Sequence, residues 1–336
     1  MHAMTLAKIA SLRDVPEPLS WRELPDPEPG TGQVLLRVLA CGVCHTELDE
    51  IEGRTPPPRL PIVPGHQVVG RVVAAGSGTA RLRVGDRVGV GWIWCSSGTE
   101  DENLSEQFVA TGRDVDGGYA ELMVVPEDYA CPLPSTFTDV EAAPLLCAGA
   151  VGYRALRLCS LRDGEPLGLT GFGASAHLVL QMARHRLPHS PVHVFARDPG
   201  QREFARALGA CWAGDTGDRS PEPLAAVIDT TPAWRPVVEA LRNLRPGGRL
   251  VINAISKEGS DQSELLRLRY HEHLWMEREI KTVANVTRAD LRECLELAAA
   301  IPMRPTVTTY PLREANRALS DLAHGQARGA RVLVVS

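Results

Sequence analysis

The chain has 336 residues, 44% hydrophobic and 23% charged, with a formal net charge of −5. That balance suits a globular protein long enough for two domains, and it gives non-specific nucleic-acid binding no electrostatic support. No run reaches the ~18 apolar residues of a membrane span. Residues 1–17 hold no signal-peptide core. Eight cysteines over this length read as reduced thiols of a cytoplasmic protein, not as a disulfide scaffold. Lys8, Lys257 and Lys281 are the only lysines among 36 basic residues, and the other 33 are Arg. The Arg residues are scattered rather than massed, as a GC-rich coding bias would leave them.

The first third alternates short apolar runs with Gly and Pro. Residues 34–39 and 68–73 read as strands, and Gly85-Asp86 as a turn before a strand at 87–90. From about Ala142 the texture changes. Strands are predicted at 167–170, 192–195, 226–229 and 250–253, and helices at 176–186, 202–208 and 237–244. That alternation argues βαβ units on a parallel sheet. A helix at 291–300, an extended stretch at 306–310, a helix at 312–323 and a strand at 331–335 complete the chain. No internal repeat or low-complexity segment is present.

Three residues in the first half look like one metal site: Cys44 in Cys41-Gly42-Val43-Cys44-His45-Thr46, His66 in Gly65-His66-Gln67, and Cys147 in Leu146-Cys147-Ala148-Gly149. Two thiolates and an imidazole without a fourth protein ligand describe a catalytic zinc, which keeps one position open. Cysteine is also a small buried hydrophobe, and Cys131, Cys159, Cys211 and Cys294 are read that way. Cys41 and Cys44 form a Cys-x-x-Cys, the spacing of a redox pair or a zinc knuckle. No second pair exists to close a four-thiolate site, and the βαβ texture of a redox domain lies far downstream.

Gly171-Phe172-Gly173-Ala174-Ser175-Ala176 follows an apolar run and precedes an apolar helix. Gly171 suits the tight turn, Gly173 the approach of a pyrophosphate, and Ala176 the third, packing position of a dinucleotide fingerprint. An NAD enzyme places a carboxylate at the end of the next strand. That position falls on Ala196, followed by Arg197, so a 2′-phosphate and NADP(H) are favoured. The competing reading puts Asp198 on the ribose.

Together these segments resemble the medium-chain zinc-dependent alcohol dehydrogenases. Gly42-Val43-Cys44-His45-Thr46, Pro64-Gly65-His66, Val84-Gly85-Asp86-Arg87-Val88, Gly117-Gly118-Tyr119-Ala120-Glu121, Leu146-Cys147-Ala148-Gly149 and Tyr310-Pro311-Leu312-Arg313-Glu314-Ala315-Asn316 carry the likeness, which covers nearly the whole chain. It implies an α/β fold: a GroES-like β-rich catalytic domain at 1–148 and 287–336, a Rossmann doubly wound parallel sheet domain at 149–286, and an active site in the cleft between them. It implies zinc on Cys44, His66 and Cys147, a structural role for Cys41, a proton relay through Thr46, and His45 on the cofactor side. Trp92 matches a pocket wall beside the zinc, where an indole favours apolar substituents; Trp94 is the weaker candidate. A homodimer or homotetramer follows from the same likeness. His271, His273 and Trp275 receive no role, being read as ordinary helix-surface residues.

Four departures stand out. Glu47 replaces the usual Asp that orients the ligating His. Gln67 replaces the Glu that usually follows it. Asp49 stands where many relatives carry a relay-terminating His, so proton release would run through Asp49 or water. Residues 94–107 hold only Cys95 where relatives bind a second, structural zinc with four cysteines, so one zinc per chain is expected. Glu100, Asp101, Glu102 and Asn103 of that segment read as a solvated acidic loop. The reading is NADP(H)-linked hydride transfer to or from a small alcohol, aldehyde or ketone. Its rivals are an iminium or activated C=C reductase on the same fold and a non-enzymatic NADPH-binding protein.

Overall fold

A computed structural model describes residues 1–301, 303–324 and 329–335. The chain divides into two compact units, Met1–Ala150 with Asn285–Ser336, and Val151–Ala284.

The first unit is built on a seven-stranded sheet. Its main path runs Val307–Pro311, Ala330–Val334, Gln33–Val43, Gln67–Ala75, Arg87–Val90 and Ala130–Pro132, and Leu122–Pro126 also pairs with Gln33–Val43. The long strand Gln33–Val43 alternates buried and half-exposed residues, then buries its last four, Ala40 to Val43. Two register shifts against Gln67–Ala75 mark irregularities that bend such a pair. One apolar core joins Val34, Leu36 and Val38 to Val68, Val88, Val90, Met123 and Leu333. Burying each such side chain contributes roughly 1.5–3 kcal/mol. This core holds the carboxyl end of Gln33–Val43 rigid where the chain turns into the short helix His45–Ile51.

The second unit carries a six-stranded, all-parallel sheet in the order Trp212–Gly214, Val192–Phe195, Leu167–Thr170, Leu224–Asp229, Leu244–Ile252, Glu279–Thr282. In chain order that is 3-2-1-4-5-6, the doubly wound arrangement whose order reverses beside the first strand. The inner strands Leu167–Thr170, Val192–Phe195 and Leu224–Asp229 are buried throughout, which explains why they read as unbroken apolar runs. Glu279–Thr282 is an edge strand with all four residues exposed.

Several helix and strand limits differ from the sequence expectation. The helix expected from residue 202 begins at Pro199, because Asp198 caps it and Pro suits its first turn. The helix expected to reach residue 244 stops at Leu241, and Leu244 opens the next strand. The helix Arg288–Ala300 starts earlier than expected because Thr287 and Asp290 form a capping box. His273 is buried, not a surface residue, and its Nδ1 contacts the Arg269 backbone. Among the described residues no helix is long and apolar enough to cross a membrane.

Candidate metal centre and dinucleotide turn

Cys44 follows the strand Gln33–Val43 and is the N-cap of the helix His45–Ile51. Its Sγ accepts from the Thr46 backbone N–H at 3.4 Å, and its own N–H donates to Glu47 Oε2 at 2.8 Å. This capping box fixes where the sulfur points. His66 stands just before the strand Gln67–Ala75, after Gly65. The positive φ of +99° at Gly65 and a Tyr119 ring carbon 2.3 Å from any added Cβ admit no other residue without rearrangement. Cys147 lies at the bend between the 3₁₀ turn Ala143–Leu146 and the helix Ala148–Leu158.

These three loops converge. The ligating atoms of Cys44, His66 and Cys147 lie within 4.8 Å of one another. Cys44 Sγ is 3.7 Å from His66 Nε2. A tetrahedral zinc with Zn–S near 2.3 Å and Zn–N near 2.0–2.1 Å separates such atoms by about 3.6 Å. Contact with Cys147, then burial and the Glu47 charge, push the Cys44 thiol well up. Two thiolates at this spacing call for a cation between them. Burial disfavours a charged His66, yet Glu47 and Cys44 outweigh it and hold the imidazole well above its usual range. The donor set therefore fits a dication.

Glu47 Oε1 stands 2.5 Å from His66 Nδ1 with both side chains buried. The contact leaves Nε2 facing the two sulfurs. Asp49 is also buried but pairs with Arg54. Gln67 is buried with its amide oxygen 2.5 Å from the Cβ position of Gly42, so the absence of a side chain at Gly42 makes its room. Thr46 is buried in the first turn of the helix, and His45 beside it is exposed. The Trp92 ring meets His66 edge-on at 6.4 Å between centroids and leans on Phe108 at 5.1 Å. Trp94 is committed elsewhere, its Nε1 donating to Val124 O at 3.1 Å.

Sequence reasoning passed over Glu50. It is buried one helical turn from Thr46, with Trp92 as its polar neighbour. Burial, then the charge of Glu47, push its carboxyl well up. No local signal marks it beyond the i, i+4 spacing from Thr46.

The expected solvated acidic loop is corrected. Glu100 and Asp101 are exposed, but Glu102 is 1% exposed and Asn103 is buried. Glu102 accepts from the Arg288 backbone N–H at 2.7 Å, from Arg288 Nε at 3.1 Å and from Tyr129 Oη at 3.1 Å. Arg288 also donates to Gly98 O at 3.0 Å, and its guanidinium lies 4.7 Å from the Tyr129 ring centroid. A buried carboxylate persists only with such partners. Among the described residues, Cys44, His66 and Cys147 are the one cluster of His, Cys, Asp or Glu donors arranged to hold a metal.

In the second unit, Gly171 has φ +73° and follows the strand Leu167–Thr170. Among the described residues, a Cβ on Gly173 would meet nothing within 4 Å beyond its chain neighbours, so that position faces open space of the kind a pyrophosphate needs. Ala176 is buried at the start of the helix Ala176–Arg186. His177, missed from the sequence, places Nδ1 2.9 Å from Gly173 O beneath the turn. Ala196 and exposed Arg197 follow the strand Val192–Phe195. Asp198 accepts from Gly200 N–H at 2.9 Å as a helix cap. Arg202 donates to Ala196 O at 2.8 Å, bringing a second guanidinium to this strand end.

Residues 30–135 match the family described as alcohol dehydrogenase GroES-like domain, and residues 210–333 the family described as zinc-binding dehydrogenase. A probable alcohol dehydrogenase, AdhA, of Mycobacterium tuberculosis is 42% identical over 322 residues, spanning 92% of this chain and 90% of that protein. The chain belongs to the medium-chain alcohol dehydrogenase family. An alcohol dehydrogenase of Geobacillus stearothermophilus is 32% identical over 343 residues, spanning 97% and 98% of the two chains. Among solved structures, a cinnamyl alcohol dehydrogenase of Sorghum bicolor aligns with a TM-score of 0.84 at 26% identity, over 99% of this chain and 97% of that one. The fold is thus GroES-like plus Rossmann, as expected, and the relatives are oxidoreductases acting on alcohols.

Proposed function

We propose that this chain is a zinc-dependent alcohol dehydrogenase or carbonyl reductase that uses NADP(H) and holds one zinc. The convergence of Cys44, His66 and Cys147, with Glu47 behind the imidazole, carries the reading. Bound there, zinc would supply Lewis acidity at a substrate oxygen, and the nicotinamide would supply or accept the hydride. The chain's own residues do the rest. Glu47 sets the His66 ring and the Cys44 backbone together. Thr46 offers a hydroxyl two residues past a ligand, suited to passing the alcohol proton. Trp92 walls the site beside His66 and favours apolar substituents.

NADP(H) is supported by the lack of a carboxylate at Ala196, by exposed Arg197, and by Asp198 being engaged as a helix cap. Arg202 beside them adds a second cation. The exposed edge strand Glu279–Thr282 supports a homodimer or a homotetramer built from it, since an unpaired edge invites a second copy. Eight free thiols support a reducing compartment such as the cytoplasm.

Metal analysis of fresh protein, beside oxidation of NADPH and NADH with a panel of aldehydes, tests the proposal. One zinc per chain with NADPH-dependent aldehyde reduction is expected. Zinc-free protein, or zinc without carbonyl reduction, sinks it. A second reading, reduction of an iminium or activated C=C bond, draws on the pairing of Asp49 with Arg54, which ties up the side chain standing in for a relay histidine. Turnover that survives Thr46→Val would favour it.

A further inference from the structure

The reversal of strand order lies between Leu167–Thr170 and Leu224–Asp229, with Thr170 directly opposite Asp229. In doubly wound sheets the crevice outside these carboxyl ends receives the dinucleotide. A buried charge stands there. Asp229 is 0% exposed, and its partner Lys257 is 9% exposed. Asp229 Oδ1 accepts from Thr170 Oγ1 at 2.5 Å and from Thr231 Oγ1 at 2.8 Å, and Oδ2 accepts from Lys257 Nζ. Lys257 spends its other donors on Thr231 O at 2.6 Å and Ala233 O at 3.1 Å. Further bonds join the same segments: Asn253 N–H to Asp229 O at 2.8 Å, and Glu258 N–H to Pro232 O at 2.8 Å.

One ammonium therefore stitches a strand end, the loop at 230–233 and the segment after Ile252. That loop forms the wall against the fingerprint turn. A Cβ on Gly171 would come within 2.9 Å of Thr231 Cγ2 and 3.1 Å of Thr230 Oγ1. The loop is also tied to the residue before Gly171, since Thr230 donates to Thr170 O from its N–H at 3.1 Å and from its Oγ1 at 2.9 Å.

The residue choice is telling. The chain uses Arg at 33 of 36 basic positions yet keeps Lys here. A compact ammonium meets three acceptors converging from different directions, whereas a planar guanidinium presents a fixed fork. We propose that Lys257, through its pairing with Asp229, is a positioning residue for the dinucleotide: it holds the 230–233 loop so that the Gly171–Gly173 turn matches a pyrophosphate. All its donors are satisfied within the protein, so it acts through the turn and not by touching the cofactor.

The inference rests on the reading that NADP(H) binds this turn, and the test separates the two. NADPH is titrated into wild type, Lys257→Arg and Thr231→Val, following nicotinamide fluorescence, with thermal midpoints and zinc content measured alongside. Lys257→Arg keeps the charge but not the geometry, and its Kd should rise about tenfold. Thr231→Val should weaken binding in the same direction by less. Zinc content, read from the other unit, should hold at its wild-type value. Unchanged Kd in both variants, with only a lower thermal midpoint, would show a purely structural pair and overturn the inference. Wild type that binds neither NADPH nor NADH would overturn the cofactor reading itself, and the inference with it.

Discussion

Glu47 reaches His66 Nδ1 at 2.5 Å with Oε1 while Oε2 accepts from the Cys44 backbone N–H at 2.8 Å. One carboxylate thus aligns two of the three metal-ligand candidates. The extra methylene relative to the family's usual Asp fits this double duty inside a capping box. Glu47→Gln keeps the size and loses the charge, so zinc affinity should fall about 10–100-fold. Competition against a chromophoric chelator reads this directly, and unchanged affinity would detach Glu47 from the metal site.

The Glu102–Arg288 pair predicts a stability cost. Arg288→Met leaves Glu102 buried without its cation, which costs about 3 kcal/mol, the low end for a broken buried pair because Arg288 reaches solvent. Denaturant unfolding of the two proteins measures it. A difference below about 1 kcal/mol would place the pair with ordinary surface salt bridges.

Acid should loosen the first unit through Glu127. Burial opposes its charge, but backbone N–H groups of Arg81, Ala80 and Leu82 outweigh this and hold the carboxyl below its usual range. A lowered folded pKa stabilises the fold above the ordinary glutamate value and loses that stabilisation as pH falls through the lowered one. Glu127→Gln should therefore melt below wild type at neutral pH, and the gap should close on acidification. Calorimetry across that range checks the sign, and a gap that widens with acid would contradict it.

Trp92 predicts a specificity change. Trp92→Ala removes the indole beside His66 and Phe108, so preference should move toward bulkier carbonyl substrates by at least about tenfold in relative kcat/KM. Parallel assays on a small and a branched aldehyde measure the ratio, and a constant ratio would take Trp92 out of the pocket wall.

Short-range signals were the legible ones. Leu167–Thr170, Ala176–Arg186 and Val192–Phe195 have the limits expected from the sequence, because a Gly-rich turn and a buried apolar run punctuate them. Cys44, His66 and Cys147 are marked by rare residue types in turn contexts, and the fold brings their donor atoms together. What stayed hidden depends on distance along the chain. Nothing near Glu102 announces Arg288, 186 residues away, so its carboxylate read as solvated. Asp229 and Lys257 are 28 residues apart, one ending a strand and the other on the connection that follows the next strand. Apolar spacing also misplaced the ends of helices where a cap, not periodicity, decides the boundary, as at Asp198.

The scarcity of lysine gives the molecule a built-in chemical reporter. Lys8 and Lys281 are exposed, whereas the Lys257 ammonium is enclosed by Asp229 and two carbonyls. An amine-reactive acylating reagent should label the first two quickly and the third only when the 230–233 loop opens. The slow label at Lys257, located by peptide mapping so that the Met1 amine is not counted with it, becomes a clock for the breathing of the second unit, readable without any substrate.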